Sequence, residues 1–229
     1  MFRYVIVFSK TGLVRYISHL DMLRLFKRAF RRAGIDLAYS QGFNPHPKMS
    51  FAQPLSLGYD AEGEYLEFET GEPVSKTRLL ERLPEHLPEG ISITACGTIP
   101  KGQKSLAAKV YAAEYEVVYP ASWHAWDFPA ATDAFMTQEE ILAEKRQKKS
   151  KKLKTVNIRP GIRSMEAIRT ERNRLCLRMC LDCGNESNVS PELVIPAYAS
   201  FADIHCKRHE IEVCRKKLIL PLDFPIEWM

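Results

Sequence analysis

The chain reads Glu64-Tyr65-Leu66-Glu67-Phe68-Glu69 at residues 64–69, and this stretch decides the fold. Its side chains alternate strictly, which predicts a strand with Tyr65 and Glu67 on one face and Leu66 and Phe68 on the other. Such a strand buries one face and leaves the other in water. It therefore fits an antiparallel sheet covered by helices on one side.

The sequence on both sides of this strand predicts the other elements of one folded unit. Residues 1–11 predict a strand, and a helix begins at Ser18, where Asp21 nearly completes a capping box, and stops at Gly34. The expected buried stripe of that helix is Leu23, Phe26, Phe30 and Ala33. Residues 37–39 and 48–52 predict short extended segments, 77–83 a helix and 91–96 a strand. The order strand, helix, strand, strand, helix, strand is typical of a ferredoxin-like unit.

The same order returns after a polar linker at residues 100–108. We expect a strand at 114–119, a helix near 127–136, a hairpin over 139–158, a helix near 164–169 and a strand at 175–182. A helix at 191–201 and a strand at 210–214 follow. The prediction is an α+β fold of two tandem ferredoxin-like (βαββαβ) domains with antiparallel sheets, one over residues 1–100 and one over 109–229.

Composition sets the broad class. The chain has 229 residues, 45% of them hydrophobic, which is ordinary for a globular protein. No apolar run approaches the roughly 20 residues of a membrane span, and the first residues lack a signal-peptide pattern. We therefore expect a cytoplasmic protein without a membrane partner, whose six cysteines are reduced.

Positive charge is concentrated in two places, although the net charge is only +5. Residues 145–154 carry seven lysines and arginines and no acid, and residues 18–33 carry five against Asp21. Clustered cations on an otherwise acidic chain predict a site for a polyanion. The alternative for 145–154 is a solvated loop tip. The candidate nucleic-acid-binding residues are Arg24, Lys27, Arg28, Arg31, Arg32, Asn44, Lys48, Lys145, Arg146, Lys148, Lys149, Lys151, Lys152 and Lys154.

A loop stiffened by Pro45 and Pro47 follows the basic helix. Each proline fixes its own φ and pushes the preceding residue, Asn44 or His46, toward extended geometry. A rigid polar loop beside positive charge predicts a surface for an anion or a partner. The alternative is a rigid turn with an incidental histidine.

Acid–base chemistry is a further hypothesis. Ser18 and His19 stand at a helix N-terminus, which favours phosphate, and His46 reaches the same point if the hairpin lies beside the first strand. Two histidines and a serine near a phosphate suit metal-independent RNA cleavage, as in CRISPR-associated endoribonucleases built from tandem ferredoxin-like domains. The alternative is that Ser18 caps the helix and His19 is partly exposed.

Five stretches carry a resemblance to a known family. They are Phe8-Ser9-Lys10-Thr11-Gly12, Tyr16-Ile17-Ser18-His19-Leu20-Asp21, Arg31-Arg32-Ala33-Gly34, Ala38-Tyr39-Ser40-Gln41-Gly42-Phe43-Asn44-Pro45-His46-Pro47 and Pro54-Leu55-Ser56-Leu57-Gly58. They closely resemble the bacterial radical-SAM-linked protein family, whose members stand alone or form the C-terminal part of a radical SAM enzyme. The resemblance implies a radical SAM partner.

Two cysteine patterns suggest metal sites. Cys176, Cys180 and Cys183 have radical SAM cluster spacing, but their alternation with apolar residues predicts a strand instead. Cys180 and Cys183 with Cys206 and His209 have zinc-site spacing, and zinc stays open at this point. We expect no cofactor and no metal.

The leading expectation is an RNA-binding accessory protein that presents structured RNA, of the ribosomal or transfer class, to a radical SAM partner. One alternative is an endoribonuclease or RNA-modifying enzyme that uses His19 and His46. Another is a protein adaptor whose basic elements meet an acidic face of the partner.

Overall fold

The computed structural model describes residues 1–120, 128–146, 152–171 and 174–229. The chain forms two compact units. Unit 1 comprises residues 1–110 and 220–229, and unit 2 comprises residues 111–219.

Unit 1 contains an antiparallel sheet crossed by one long helix. Its elements are β1 (Phe2–Lys10), α1 (His19–Arg32), β2 (Met49–Phe51), β3 (Asp60–Thr70), β4 (Ile91–Thr98) and the short helix α2 (Leu106–Lys109). The strands lie in the order β4-β1-β3-β2. In the register, Ile6 is opposite Leu66 on one side and Cys96 on the other. The predicted strand at 64–69 is confirmed, because Leu66 and Phe68 are buried on its apolar face.

Aromatic packing attaches α1 to the sheet. The ring of Phe30 lies 4.6 Å from that of Phe68, and the ring of Phe26 lies 5.0 Å from that of Phe8. These two helix positions were predicted correctly. Leu23 and Ala33 are only half-buried. Met22 and Ala29 are fully buried in their place. The spacing 22, 26, 29 and 30 still follows one face of a helix, so the opposite face is left to water.

The helix predicted at 77–83 is present over residues 76–82, but most of it is π-helical. The π-helical turn, Arg78–Arg82, is followed by a 3-10 turn, Pro84–His86. Pro84 supplies no backbone N–H, so the α-helical ladder cannot pass through it.

The main strands of unit 2 pair antiparallel with one another. The elements of this unit are β5 (Ala112–Val118), α3 (Phe128–Met136), β6 (Leu142–Arg146), β7 (Leu153–Asn157), β8 (Ile162–Arg169), β9 (Leu175–Asp182), α4 (Pro191–Phe201) and β10 (Glu212–Ile219). The order is β10-β5-β9-β8, whereas β6 and β7 pair only with each other. The predicted hairpin is therefore confirmed, and it stands apart from the main sheet of the unit.

The helix predicted near residues 164–169 is wrong. This segment is β8, which pairs with β9 from Ile162 to Arg169. Ile162 and Met165 are buried while Arg163 and Ser164 between them are exposed. The position of β8 is fixed by a neighbour beyond the next turn. Spacing within six residues does not contain that information.

The C-terminus returns to unit 1. β11 (Glu227–Trp228) pairs with β4 at Thr98 and Gly97, so residues 220–229 lie with the first unit and not, as predicted, with the second. A Cβ on Gly97 would lie 2.8 Å from Ile226 Cγ2 and 2.9 Å from the Glu227 carbonyl oxygen. Only glycine therefore allows this close approach.

The fold is α+β, with antiparallel sheets and few helices among the described residues. If β6–β7 is set aside, both units share one neighbour order, in which the last strand lies beside the first, then the third, then the second. None of the helices in the described ranges combines the length and the apolar character that a membrane crossing requires.

Candidate nucleic-acid interface

A buried lysine fixes the entrance to α1. Lys10, at the end of β1, is 4% exposed, and its Nζ donates to the carbonyl oxygens of Arg15 at 3.3 Å and Ile17 at 3.0 Å. These carbonyls belong to the 3-10 turn Gly12–Tyr16 and the residue after it. These two hydrogen bonds from a buried ammonium group tie the turn to the end of β1, because breaking them would remove partners from a buried charge.

Ser18 caps α1. Its hydroxyl oxygen accepts from the backbone N–H of Asp21 at 3.2 Å, and its hydroxyl donates to the Asp21 carboxylate at 2.7 Å. Arg24 donates to the same carboxylate at 2.9 Å. The hydrogen bond from Ser18 and then that from Arg24 lower the pKa of Asp21. The predicted cap at Ser18 is confirmed, but Asp21 accepts from the Ser18 hydroxyl where a capping box would use the Ser18 backbone N–H.

Four of the five cations of α1 lie outside the ion pairs that the described residues form. Arg24 is paired with Asp21, and all five predicted basic residues of the helix are exposed. Within the ranges that the structure describes, Lys27, Arg28, Arg31 and Arg32 have no carboxylate oxygen within 4.0 Å. Within these ranges no ion pair neutralises the four cations, and a phosphate chain would relieve their mutual repulsion.

These four cations form two rows, one on each side of the exposed helix face. Lys27 and Arg31, one turn apart, line a groove of about 360 Å³ with residues 35–37 and Tyr39, and the carboxylate of Asp36 shares this groove with the two cations. Arg28 and Arg32 line a groove of about 410 Å³ with the segment from Glu85 to Pro88. Both grooves are open and shallow, as suits a ligand that lies across the helix.

The proline loop is a closed hairpin. Lys48 N–H donates to the Ala38 carbonyl at 2.8 Å, and Ser40 N–H donates to the His46 carbonyl at 2.8 Å. The Ser40 hydroxyl accepts from the His46 N–H at 3.0 Å. Tyr39 and Pro47 form a bridge between these bonds. We call residues 37–48 the proline hairpin and residues 41–45 its tip.

The proline hairpin adjoins the basic helix through Tyr39. The Lys27 ammonium lies 5.5 Å from the centre of the Tyr39 ring, a cation–π geometry. At the tip, the side chain of Phe43 is fully exposed. Sequence reasoning named Asn44 and His46 but missed Phe43. The sequence signal that could have identified Phe43 is its position after Gly42 in a turn, where an aromatic side chain does not reach the hydrophobic core.

The other predicted loop residues, Asn44 and Lys48, differ in whether their side chains are free to bind a phosphate. Asn44 is exposed at the tip. Lys48 is half-buried, and its ammonium group lies 2.8 Å from the Glu69 carboxylate on β3. The charge of Lys48 is therefore already compensated, which weakens its case as a phosphate ligand.

The second basic element is the hairpin β6–β7. Lys145 lies directly opposite Lys154, and both are exposed. Like charges opposite each other destabilise a strand pair, and a bound anion removes that penalty. Lys152 is exposed, and Arg146 ends β6. The predicted residues Lys148, Lys149 and Lys151 lie outside the described residues.

The structure does not bring Ser18, His19 and His46 together. Ser18 is occupied as the cap, and the ring of His19 packs edge-on against Phe51 at 5.3 Å. His46 is exposed and held by its backbone in the proline hairpin. Across the described ranges, no hydrogen bond or ring contact joins any two of these three side chains. Geometry gives the cleavage hypothesis no support.

In the part of the chain that the structure describes, the cysteines are not grouped with enough other ligands for a metal site. Cys176 and Cys180 lie on β9, and Cys183 follows it. Burial is the main cause that raises the pKa of Cys176 to about 11, and the Glu116 carboxylate adds to it. Burial also raises the pKa of Cys180 and of Cys206. Among the described residues, no three His, Cys, Asp or Glu side chains are grouped closely enough to hold a metal ion.

Unit 2 has a larger cleft, of about 630 Å³, on the polar face of its sheet. Its charges compensate each other, since Glu116 contacts Arg178 at 3.0 Å and Lys216 at 3.5 Å. Arg178 also lies 3.7 Å from Glu166. This cleft has no excess of positive charge, so the uncompensated cations of α1 make the better anion site.

One protein family matches most of the chain. Its model, described as "uncharacterized protein conserved in bacteria (DUF2344)", matches residues 3–191. The chain belongs to this bacterial family. The matched range includes α1, the proline hairpin and β6–β7, so the interface described above lies inside the family region.

Other comparisons add little about function. No curated protein matches the chain. A solved structure described as "putative glycine cleavage system transcriptional repressor" is 13% identical, and the match covers 96% of this chain and 98% of that one. The TM-score is 0.24, too low to carry an argument about this family member.

Proposed function

We propose that the protein binds structured RNA through α1 and the hairpin β6–β7. The observation that carries the proposal is the set of four exposed cations on α1. Among the described residues, none of the four has a carboxylate oxygen within 4.0 Å of its charged nitrogen atoms. Cations that are not engaged in an ion pair are available to phosphates. The proline hairpin borders one of these rows through Tyr39.

Electrostatics sets the expected strength and its dependence on salt. For a duplex, the logarithm of the binding constant falls with the logarithm of salt by about 0.9 per neutralised phosphate. Four contacts on α1 therefore predict a slope of about −3 to −4. Such contacts grip the backbone and carry no base sequence, so binding by α1 is expected to tolerate many sequences.

The hairpin β6–β7 is the second contact in this proposal. Lys145 and Lys154 face each other across the strands, and the sequence between them holds further lysines. Aromatic residues are not interleaved there, so this hairpin is expected to hold backbone phosphates and not bases.

The proposal extends to the setting of the protein. By the resemblance of its first hundred residues, the protein presents its RNA to a radical SAM enzyme in the cytoplasm, where ribosomal and transfer RNA are found. The neighbour order shared by the two units supports reading each as ferredoxin-like, with β6–β7 inserted in the second.

Binding of labelled stem-loop RNA at several salt concentrations tests the proposal. We compare the wild type with Lys27→Ala/Arg31→Ala, Arg28→Ala/Arg32→Ala and Lys145→Ala/Lys154→Ala. The matched control is Arg163→Gln/Lys217→Gln, which also removes two positive charges. Those two cations are already paired, Arg163 with Asp182 at 2.6 Å and Lys217 with Glu114 at 3.1 Å.

Each α1 double variant should bind more weakly and reduce the magnitude of the salt slope by about 2, while the control keeps the wild-type slope. Absence of wild-type binding at low salt would overturn the proposal. An equal loss in the control would also do so, because binding would then follow net charge and not the site.

A further inference from the structure

Resting on the proposed function, we propose that Phe43 stacks on an unpaired nucleobase, so that the ligand class is RNA with a single-stranded loop or bulge next to a duplex. Phe43 is fully exposed at the tip of the proline hairpin. Its ring has no protein neighbour among the described residues that counts as a ring or cation–π contact.

The hairpin presents this ring in a prepared position. Backbone bonds between Ser40 and His46 and between Ala38 and Lys48 close the loop, and Pro45 and Pro47 stiffen it. The side chain is exposed, and the loop that carries it is closed three residues away on either side, at Ser40 and His46. This closure limits the positions of the ring, which lowers the conformational entropy lost when a flat group stacks on it.

The surroundings favour a nucleobase over an apolar pocket of a protein. Phe43 is four residues from Tyr39, at most about 14 Å along an extended chain. Tyr39 contacts Lys27 and lines the groove that contains Arg31. A ligand that meets the ring thus has uncompensated cations within a few nucleotides. A nucleic acid supplies both a phosphate for the cations and a π-face for the ring.

The chemistry also defines what kind of RNA is bound. Phenylalanine has no hydrogen-bonding group in its side chain, so it stacks on any base and reads no sequence. Bases inside a continuous A-form helix are stacked on each other and are not available to it, whereas loops and bulges expose theirs. Phe43 therefore selects for an unpaired base and not for a particular one.

Fluorescence anisotropy with two RNAs tests this. One is a stem-loop, and the other is a blunt duplex with the same stem sequence and no unpaired nucleotide. We expect Phe43→Ala to weaken binding of the stem-loop by about fivefold to hundredfold and to leave duplex binding unchanged. Phe43→Trp should retain stem-loop binding. The control is Leu222→Ala, another fully exposed apolar residue of unit 1, which should change neither.

The outcomes separate the inference from the function it rests on. If the wild type binds neither RNA, the proposed function fails and the inference fails with it. If the wild type binds both and Phe43→Ala changes neither, or weakens both equally, the inference alone is overturned. The exposed ring would then point to a protein partner.

Discussion

At the scale of single residues, the structure assigns Ser18 a role as a helix cap. Its oxygen accepts the Asp21 N–H and its hydroxyl donates to the Asp21 carboxylate, so both functions of the hydroxyl are used. A serine held in this way stabilises the basic helix. It acts on anion binding only by keeping the cations of α1 in place.

Ser18→Ala is expected to lower the free energy of unfolding by about 1 kcal/mol, because one backbone N–H at the start of α1 loses its partner. Chemical denaturation measures this. Ser105→Ala is the control, since Ser105 is the N-cap of α2 but makes no side-chain cap bond. Equal effects of the two substitutions would contradict the capping role.

Cys176 is expected to resist alkylation in the folded protein. Its pKa is raised to about 11, so the reactive thiolate is scarce at pH 8 and grows only as the pH approaches that value. Because folding raises this pKa, the contribution of Cys176 to the free energy of unfolding is complete below the pKa of a free thiol and decreases as the pH rises toward about 11.

Mass spectrometry after iodoacetamide treatment, from pH 7 to 10, measures the labelling of Cys176. The denatured chain provides the control, since its thiols have ordinary pKa values. Fast labelling of Cys176 in the native protein at pH 7 would show that the thiol is exposed and ionised, which contradicts its burial.

At the scale of elements, two positions show what determines the pairing of neighbouring strands. β11 lies beside β4 only because Gly97 has no side chain. The hairpin β6–β7 sets Lys145 against Lys154, although a neutral pair would be more stable. The first contact serves packing. The second makes sense if an anion is bound there.

Gly97→Ala is expected to detach β11 from β4 and to destabilise unit 1 by about 1 to 3 kcal/mol, because the added methyl group meets the backbone of Glu227. Hydrogen exchange of residues 226–229 should become faster. Gly71→Ala is the control, since nothing lies within 4 Å of its added methyl group. Unchanged protection at the C-terminus would contradict the close approach.

Lys154→Glu separates stability from binding. It replaces a like-charge pair with an opposite-charge pair and should raise the free energy of unfolding by about 0.2 to 1 kcal/mol. RNA affinity should fall at the same time, because a phosphate contact becomes a repulsion. Lys154→Gln gives the neutral reference for both measurements. A variant that is more stable and binds RNA as tightly as the wild type would remove the hairpin from the interface.

At the scale of the whole molecule, positive charge is segregated. The net charge of +5 hides two basic elements, one in each unit, on an otherwise acidic chain. Elsewhere in the described ranges, ion pairs such as Arg3 with Glu67 and Arg163 with Asp182 compensate part of the charge. This distribution suits a polyanion better than a small charged ligand.

Protein purified at low salt without nuclease is therefore expected to carry RNA and to release it at high salt, as counterion competition requires. Absorbance ratios and gel analysis of the extracted nucleic acid measure this. Lys27→Ala/Arg31→Ala should carry less. Protein free of nucleic acid at low salt would favour the adaptor hypothesis, in which the cations meet an acidic protein face.

The sequence alone was enough to predict the elements whose signals are local. The alternation at residues 64–69, the cap at Ser18, the spacing of Phe26 and Phe30 and the exposure of the cations of α1 all came from neighbouring residues. α4 covers Pro191–Phe201, the range predicted for this helix. Local spacing is sufficient here because each feature depends on residues within a few positions.

Only the tertiary structure decided the features that depend on distant partners. β8 is a strand because it pairs with β9. The last ten residues pack in unit 1 because Gly97 has no side chain to block β11. The charge of Lys48 is neutralised by an ion pair with Glu69. Phe43 became a candidate because the closed hairpin holds it away from any core. Pairing, close approach and charge compensation join residues far apart in sequence, and no local pattern encodes them.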